Sequence, residues 1–293
     1  MLLVFFSACN NIASAQITAA DSSLQSDGPR LALPCDNTLA MPCNQRNSSL
    51  RLGISPAYGT FRDIGTAPIS FFGPALQSVV GIWQERSRWH FRLDIATTLG
   101  YYEDAPKPHF NFTSFDISNS LRIAAMHLLN AHPRSSEWLG FGLANFLNVT
   151  VNTNYENAAA GISNFLGPEL YFKELLHLGS SRWLFYGEVG MMPVAALLRP
   201  GYAYIDNYTA YQPVLSALFS NYRWNAKFLA GLSTEIGFLF HFLNSNRLQL
   251  AYRWELFSSG TVGCWRFDHA IHSLQCNLFF HLKRTANHEK NKN

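Results

Sequence analysis

A regular alternation of apolar and polar side chains between Arg88 and Tyr102 is the feature that most restricts how this chain can fold. Odd positions there carry Trp89, Phe91, Leu93, Ile95, Thr97, Leu99 and Tyr101, and even positions carry His90, Arg92, Asp94, Ala96, Thr98 and Gly100. Successive side chains of a β-strand point to opposite faces of a sheet. The segment therefore predicts a strand with one apolar and one polar face, and the same alternation recurs over 115–123 and 248–254.

Followed along the chain, this alternation predicts ten strands, near residues 49–61, 74–84, 88–102, 113–129, 137–149, 164–176, 183–197, 223–241, 247–257 and 269–282. Most of these segments are longer than the roughly five to six residues usual for strands, and they suit a tilted crossing of a bilayer, which takes about 9–11 residues. The sequence holds no uninterrupted apolar run of about 18 residues, so a membrane-spanning form of this chain must be a closed barrel.

The predicted connections alternate between short and long. Short turns fall at 85–87, 177–182 and 244–246, longer segments fall at 62–73, 103–112, 150–163, 198–222 and 258–268, and 130–136 is intermediate. Short turns at one end and long loops at the other are typical of bacterial outer-membrane barrels, which have an even number of strands. We therefore predict an all-β fold, a transmembrane antiparallel β-barrel of about ten strands over 49–282, with both chain ends in the periplasm.

Composition agrees with a surface that largely avoids water. Charged residues make up only 14% of the chain, well below the roughly 25% of typical globular domains. Aromatic residues also make up 14%, as expected where rings lie at membrane interfaces. A lipocalin-like barrel or a β-sandwich would also show alternating apolar and polar residues, but its apolar face would point inward.

The net charge of +3 is too small to indicate nucleic-acid binding. We interpret the basic tail, 283–293, as a solvated periplasmic segment.

The N-terminal residues carry the pattern of an export signal. An apolar run over 1–8 is followed by Ala13-Ser14-Ala15, the small-x-small sequence that signal peptidase accepts. We predict a signal peptide over 1–15 that is cleaved before Gln16, with lipidation of Cys9 as the alternative. Residues 16–48 would then form a periplasmic segment, in which Cys35 and Cys43 are predicted to pair as a disulfide because the periplasm is oxidising.

Charged residues on the polar faces of the strands are the candidate functional residues. If the apolar faces meet lipid, the residues facing the lumen are Arg51, His90, Arg92, Asp94, Asp116, Arg122, Glu169, Lys173, Glu188, Lys227, Glu235, Arg253 and Glu255. A barrel of about ten strands is narrow, so these side chains of both signs would fill it with ion pairs and hydrogen bonds. The alternative is a selective path for small solutes that is lined by the same groups.

An enzyme is a further alternative. Asp268, His269, His272 and Ser273 place an acid, two imidazoles and a hydroxyl close together, as hydrolases do. On a strand, however, His269 and His272 point to opposite faces, and Ser273 points away from His272. The sequence also has no Gly-rich phosphate loop, no carboxylate-rich calcium loop and no cysteine pair with metal-ligand spacing. We therefore predict no catalytic, cofactor-binding or metal-binding residues.

The longest predicted connection, 198–222, holds Tyr202, Tyr204, Tyr208 and Tyr211. Tyrosine clusters are common in recognition surfaces. The alternative is that these rings form a packed aromatic lid.

We predict a barrel that is closed at rest and acts through its outer loops as a structural, binding or accessory subunit. Its expected partners are outer-membrane lipid and another outer-membrane protein. A small-solute porin and a lipid- or peptide-hydrolysing enzyme remain the alternatives.

The cleavage context Ala13-Ser14-Ala15-Gln16 and the Asn-, Phe- and Tyr-rich barrel resemble exported proteins of the Bacteroidota group. Four landmarks follow one another along the barrel: Arg51-Leu52-Gly53 with Tyr58, Met192-Pro193-Val194, Arg199-Pro200-Gly201-Tyr202 and the segment 247–252. In this order they resemble an uncharacterised family of outer-membrane β-barrels from Bacteroidota-type bacteria. Outside the cleavage context, the resemblance covers about 49–282. It implies a barrel in the bacterial outer membrane and supplies no catalytic residues.

Overall fold

The computed structural model describes residues 47–63, 70–86, 88–104, 113–132, 134–153, 158–178, 182–199, 203–204, 223–259 and 266–282. The predicted signal peptide, the Cys35–Cys43 pair and the basic tail lie outside these residues. No helix in the described part of the chain has the length and apolarity to cross a membrane.

Eleven antiparallel strands make up the described fold. They are β1 (Asn47–Asp63), β2 (Ser70–Arg86), β3 (Trp89–Asp104), β4 (Thr113–Ala131), β5 (Ser135–Thr153), β6 (Ala158–His177), β7 (Trp183–Arg199), β8 (Ala203–Tyr204), β9 (Arg223–His241), β10 (Arg247–Ser258) and β11 (Phe267–Leu282). Ten of them are long, whereas β8 has 2 residues and pairs only with the first residues of β6.

The ten long strands form a closed barrel, because β11 pairs with β1 and every other long strand pairs with its neighbour along the chain. Pairing steps from Gly53 through β2 to β5 lead to Phe165 of β6. Steps from Gly53 in the other direction lead to His177 of the same strand. This displacement along β6 means that the strands are staggered and tilted relative to the barrel axis.

Connections 87–88, 132–134, 178–182 and 242–246 lie at one end of the barrel, which we call the turn end. The other connections lie at the opposite end, which we call the loop end. The segment predicted as intermediate is a tight turn, since the backbone N–H of His132 donates to the carbonyl of Ser135 at 2.8 Å. The ten predicted strands are confirmed, and most are longer than predicted.

The prediction of a long loop over 150–163 is wrong. β5 continues to Thr153 and β6 begins at Ala158, so residues 154–157 alone connect them. The run Ala158-Ala159-Ala160-Gly161 has no large apolar residue to alternate with polar ones. Its backbone nevertheless pairs with β5, because ladder hydrogen bonds do not depend on side-chain type.

The alternation of faces is the property of the wall that matters most for function. Leu93 and Ile95 of β3 are 37% and 43% exposed on the outside, whereas Arg92 and Asp94 between them are 7% and 6% exposed and face the interior. Outward positions of the other long strands are also largely apolar. Near the turn end the outside carries a ring of aromatic side chains, at Trp89, Trp183, Phe240 and Phe280, as in membrane barrels.

Two prolines interrupt the ladder on one side of the barrel. Pairing of β6 with β7 shifts between Leu166 and Leu170, around Pro168. Pairing of β7 with β9 shifts at Pro193, where Leu229 of β9 has a φ of 52°. Proline has no backbone N–H to give to a ladder, so both sites take the form of bulges.

Candidate functional site

The interior of the barrel contains all of the charged residues that we predicted for the lumen. Inward positions are held by Arg51, His90, Arg92, Asp94, Asp116, Arg122, Glu169, Lys173, Glu188, Lys227, Glu235, Arg253 and Glu255. Seven of them form one network of ion pairs and hydrogen bonds that runs through the side chains of Gln249, Gln275 and Asn277: Arg51, Asp94, Arg122, Glu169, Glu235, Arg253 and Glu255. Arg92, Lys173 and Glu188 form a second cluster, Asp116 pairs with His269, and His90 stacks on the ring of Trp138. Lys227 stands apart from these clusters: it is half-buried opposite Ala195 on β7.

At the turn end, an ion pair crosses the barrel from β2 to β10. Arg247 Nη1 lies 2.5 Å from Glu85 Oε1, and its other terminal nitrogen donates to Ser49 Oγ at 3.2 Å. The Arg247 guanidinium also lies over the ring of Phe279. Trp83 packs edge-on against that ring, so the ion pair is enclosed by aromatic side chains.

A second layer follows towards the middle of the barrel. Arg92 on β3 lies 2.6 Å from Glu188 on β7, a strand on the opposite wall. The Lys173 ammonium also reaches Glu188, at 3.9 Å. On the near wall Arg51 pairs with Asp94 at 3.4 Å. All of these side chains are at most 10% exposed, so their charges are held largely by one another and not by water.

The third layer is a chain of alternating charges. Arg122 on β4 lies 3.1 Å from Glu169 on β6 and 2.5 Å from Glu255 on β10. Glu255 in turn accepts from Arg253 at 2.8 Å, and Arg253 reaches Glu235 at 3.3 Å. Each carboxylate therefore has a cationic partner, as buried charges require.

Towards the loop end, a buried pair of Asp116 and His269 crosses from β4 to β11. His269 Nε2 and Asp116 Oδ2 are 3.1 Å apart, and the Asn148 side chain donates to the other oxygen of Asp116. Aromatic side chains pack around this pair, at Phe146, Phe165, Phe257 and Phe267. A second cluster joins Phe61, Phe71 and Tyr102. Aromatic side chains therefore fill much of the described interior at this end.

These contacts join walls that are not neighbours in the sheet. From the turn end towards the loop end, the bridges are Glu85–Arg247, Arg92–Glu188, Arg122–Glu255 and Asp116–His269. A bridge across a narrow lumen occupies the space that a water column would need. The arrangement can therefore hold the barrel shut and fix the distance between opposite walls.

The residues considered for hydrolysis do not converge. His269 faces the interior, whereas His272 lies exposed on the outside, where its Nδ1 is 2.5 Å from the Tyr252 hydroxyl oxygen. Ser273 faces inward, away from His272, as the alternation predicts. Asp268 accepts from Ser258 and Arg266 at the loop end. Within the described residues there is also no group of three or more His, Cys, Asp or Glu side chains that could hold a metal ion.

Sequence reasoning missed part of the network. The predicted strand 74–84 stops one residue before Glu85, whereas β2 continues to Arg86, and Glu85 has the same parity as the inward residues Trp83 and Gln77. Arg247 begins the predicted strand 247–257, and it has the same parity as the inward residues Gln249 and Arg253. The amide side chains of Gln249, Gln275 and Asn277 also join the network. Parity alone could have identified all of these residues.

The other predicted contact residues can be placed only in part. Tyr204 belongs to β8, and its side chain is not described. Tyr202, Tyr208 and Tyr211 lie outside the described residues. The recognition role of this connection stays a prediction.

Comparison with known proteins places this geometry among bacterial outer-membrane barrels. The chain is similar to the outer membrane protease OmpT from Escherichia coli, with a TM-score of 0.53, 9% identity and coverage of 84% of this chain and 99% of that one. It is also similar to the translocator domain of the autotransporter NalP from Neisseria meningitidis, with a TM-score of 0.46, 11% identity and coverage of 82% and 90%. At these identities the likeness shows the fold alone.

No protein-family model matches the chain, and no curated protein sequence matches it. The proposed likeness to a Bacteroidota family therefore stays a prediction. The fold class itself, a closed antiparallel barrel of ten long strands, is confirmed.

Proposed function

We propose that this chain is a bacterial outer-membrane barrel that is closed to solutes and works through its surfaces as a structural, binding or accessory subunit. The observation that carries this proposal is the series of buried ion pairs that cross the lumen from wall to wall. If such bridges occupy the interior, only the outer wall and the connections between strands are available to contact other molecules.

The outside of the wall supports a membrane location. Leucine, isoleucine, valine and phenylalanine side chains that would be buried in a water-soluble protein are about 40–60% exposed there, as in Ile54, Leu99, Phe115 and Ile117. Hydrocarbon is the solvent in which such a surface has the lowest free energy. The ring of Trp89, Trp183, Phe240 and Phe280 suits a membrane–water interface near the turn end.

The interior favours a closed barrel over a porin. Porins keep a wide, water-filled lumen lined by polar groups. Here Arg92 and Glu188 contact each other across the barrel, as do Arg122 and Glu255. Hydrating these charges enough to pass ions would require the contacts to break. A buried pair that loses one partner leaves the other charge uncompensated, which costs about 3–5 kcal/mol.

Planar lipid bilayers provide the direct test of closure. The unmodified protein is expected to give no stable conductance steps. A variant with alanine at Arg92, Arg122, Glu188 and Glu255 and also at the loop-end residues Phe146, Phe257 and His269 is expected to conduct, because it loses three of the four wall-to-wall bridges and much of the aromatic packing at the loop end. Heat-modifiable mobility on a gel checks that this variant still forms a barrel. Large and reproducible steps from the unmodified protein would reject the closed barrel in favour of the porin.

A role for the outer loops rests on the tyrosines of the 198–222 connection, which is expected to be exposed at the cell surface. Protease added to intact cells should cut this connection before any other segment. The fragments can be identified by mass spectrometry, with permeabilised cells as the control for cleavage from the periplasmic side. Resistance of the connection in intact cells, combined with cutting elsewhere, would argue for a packed lid.

A further inference from the structure

A row of polar side chains crosses the outside of one half of the barrel. We call it the polar row, and its members are Ser78 on β2, Thr97 on β3, Asn119 on β4, Asn145 on β5 and Asn164 on β6. All of them occupy outward positions in the alternation of their strands. The sheet pairs Ser78 with Thr97 and Thr97 with Asn119. Asn145 lies two residues from Leu147, the partner of Asn119, and its side chain reaches Asn164 on β6, so the row continues with a step of two residues between β4 and β5.

The polar row lies inside the apolar band of the wall and not at its edge. On three strands the polar residue has outward apolar residues two positions away on both sides: Ile95 and Leu99 beside Thr97, Ile117 and Leu121 beside Asn119, and Leu143 and Leu147 beside Asn145. In a membrane these flanking side chains lie at the depth of the acyl chains. The amides between them are therefore at hydrocarbon depth, away from the headgroups.

Hydrogen bonds within the polar row use only part of its capacity. Asn119 Nδ2 donates to Thr97 Oγ1 at 3.0 Å, and Asn145 Nδ2 donates to Asn164 Oδ1 at 2.7 Å. Among the described residues, the carboxamide oxygens of Asn119 and Asn145 accept no hydrogen bond. A carboxamide can donate two hydrogen bonds and accept two, and hydrocarbon offers no replacement partners.

An apolar groove of about 740 Å³ opens beside the polar row, on its turn-end side. Its lining includes Leu93, Ile123, Ala125 and Phe141. The small side chain of Ala125 leaves a recess in the wall, whereas Phe141 is 66% exposed and projects from it. The same face therefore carries both a projecting ring and a recess that can receive one.

We propose that this face is the interface between two copies of the chain, related by a two-fold axis that runs parallel to the barrel axis beside β4. A two-fold interface must be complementary to itself. On such an axis Asn119 meets Asn119 of the second copy, and a pair of carboxamides can donate and accept reciprocally. β3 and β5 flank β4, so Thr97 meets Asn145 of the second copy, and each Phe141 enters the other groove.

Self-complementarity favours a second copy over a lipid. An acyl chain can fill the groove, but it has no donor or acceptor at the depth of the polar row. Polar side chains at membrane depth stabilise protein–protein contacts by hydrogen bonding across them. The inference rests on the proposed membrane location, since in water the same amides would be hydrated.

Cysteine crosslinking in native membranes tests the interface. The native cysteines, including the outward Cys276, are first replaced by serine. Asn119→Cys is then expected to give an adduct of two chains when a short bis-maleimide is added. The matched control is Thr234→Cys on β9, an outward polar position on the other side of the barrel that is flanked by Leu232 and Ile236. No adduct of two chains is expected from this control.

Each other outcome of the crosslinking contradicts the inference. Equal adducts from Asn119→Cys and Thr234→Cys would indicate random collision. An adduct of Asn119→Cys with a different mass would assign the face to another protein, and a chain that stays single would leave lipid as the occupant. A chain that is absent from the membrane fraction would overturn the proposed location and this interface together, whereas a membrane-bound single chain overturns the interface alone.

Association can also be measured without cysteine by analytical ultracentrifugation in detergent. Asn119→Leu and Phe141→Ala are each expected to raise the dissociation constant of the dimer by about tenfold. Thr234→Leu, the matched control, is expected to leave it unchanged. Because all three side chains are outward, the barrel itself should fold in each variant. Equal dissociation constants for the three variants would overturn the interface.

Discussion

Replacement of Arg122 by leucine is expected to lower the free energy of unfolding of the barrel by about 3–5 kcal/mol. Arg122 contacts Glu169 and Glu255, and all three side chains are at most 6% exposed. Glu255 would keep Arg253 as a partner. Glu169 would be left with hydroxyl donors from Tyr171 and Ser233, which do not balance a buried charge.

The matched control for Arg122→Leu is Arg266→Ala. Arg266 pairs with Asp268 at 2.5 Å, but its side chain is 41% exposed. Loss of this surface pair should cost only about 0–1 kcal/mol. Unfolding in urea in the presence of lipid vesicles, followed by tryptophan fluorescence, measures both variants. If both variants lose the same free energy of unfolding, the buried ion pairs of Arg122 contribute no more to stability than the exposed pair of Arg266.

Leu93→Arg is expected to lower the free energy of unfolding by about 2–4 kcal/mol, because it puts a charge on the lipid face at mid-depth. Leu93 lies on the outside of β3, between the aromatic Phe91 and the apolar Ile95. Gln84→Arg is the matched control. It adds the same side chain on the outside of β2 near the turn end, where the cost falls to about 0–1 kcal/mol.

The effect of Leu93→Arg can be followed through assembly as well as stability. The fraction of chain that reaches the folded, heat-modifiable form in vesicles should fall for Leu93→Arg and stay near the unmodified level for Gln84→Arg. Assembly is measured in dilute vesicles, where chains are single and the groove beside Leu93 is open to lipid. If both variants assemble equally well there, position 93 does not face hydrocarbon. That result would contradict the membrane location and not the barrel fold.

The strands and their faces could be predicted from the sequence because alternation is local. Once a charged residue at an even position of 88–102 is assigned to the interior, every other side chain of that strand is assigned to the inside or the outside by alternation. The structure confirms this assignment for Leu93, Asp94 and Ala96. Where the local signal is weak, prediction fails. The residues over 158–161 are alanines and a glycine, so their side chains do not differ in polarity between the two faces of the strand. The predicted strand therefore begins at residue 164, whereas β6 begins at Ala158.

The partners inside the lumen could not be predicted in the same way. Arg92 pairs with Glu188 on the opposite wall, and Arg122 with Glu255. Which charges meet depends on the stagger of the closed sheet, which is the sum of many pairing steps. A shift of one strand by two residues would keep every side chain on its face and still exchange the partners. Such information is absent from any single segment.

The wall-to-wall bridges join positions that are far apart in the chain. Glu85 and Arg247 are separated by 162 residues, and Asp116 and His269 by 153. These charges cannot meet until the last strands of the chain have closed onto the first, so they must stay hydrated while the sheet is still open. Formation of the barrel is therefore also a drying step, in which water leaves the interior as each charge exchanges solvent for its partner. Pairing of β11 with β1 completes this exchange, because it joins the two edges of the sheet and so brings the partner charges within reach of one another.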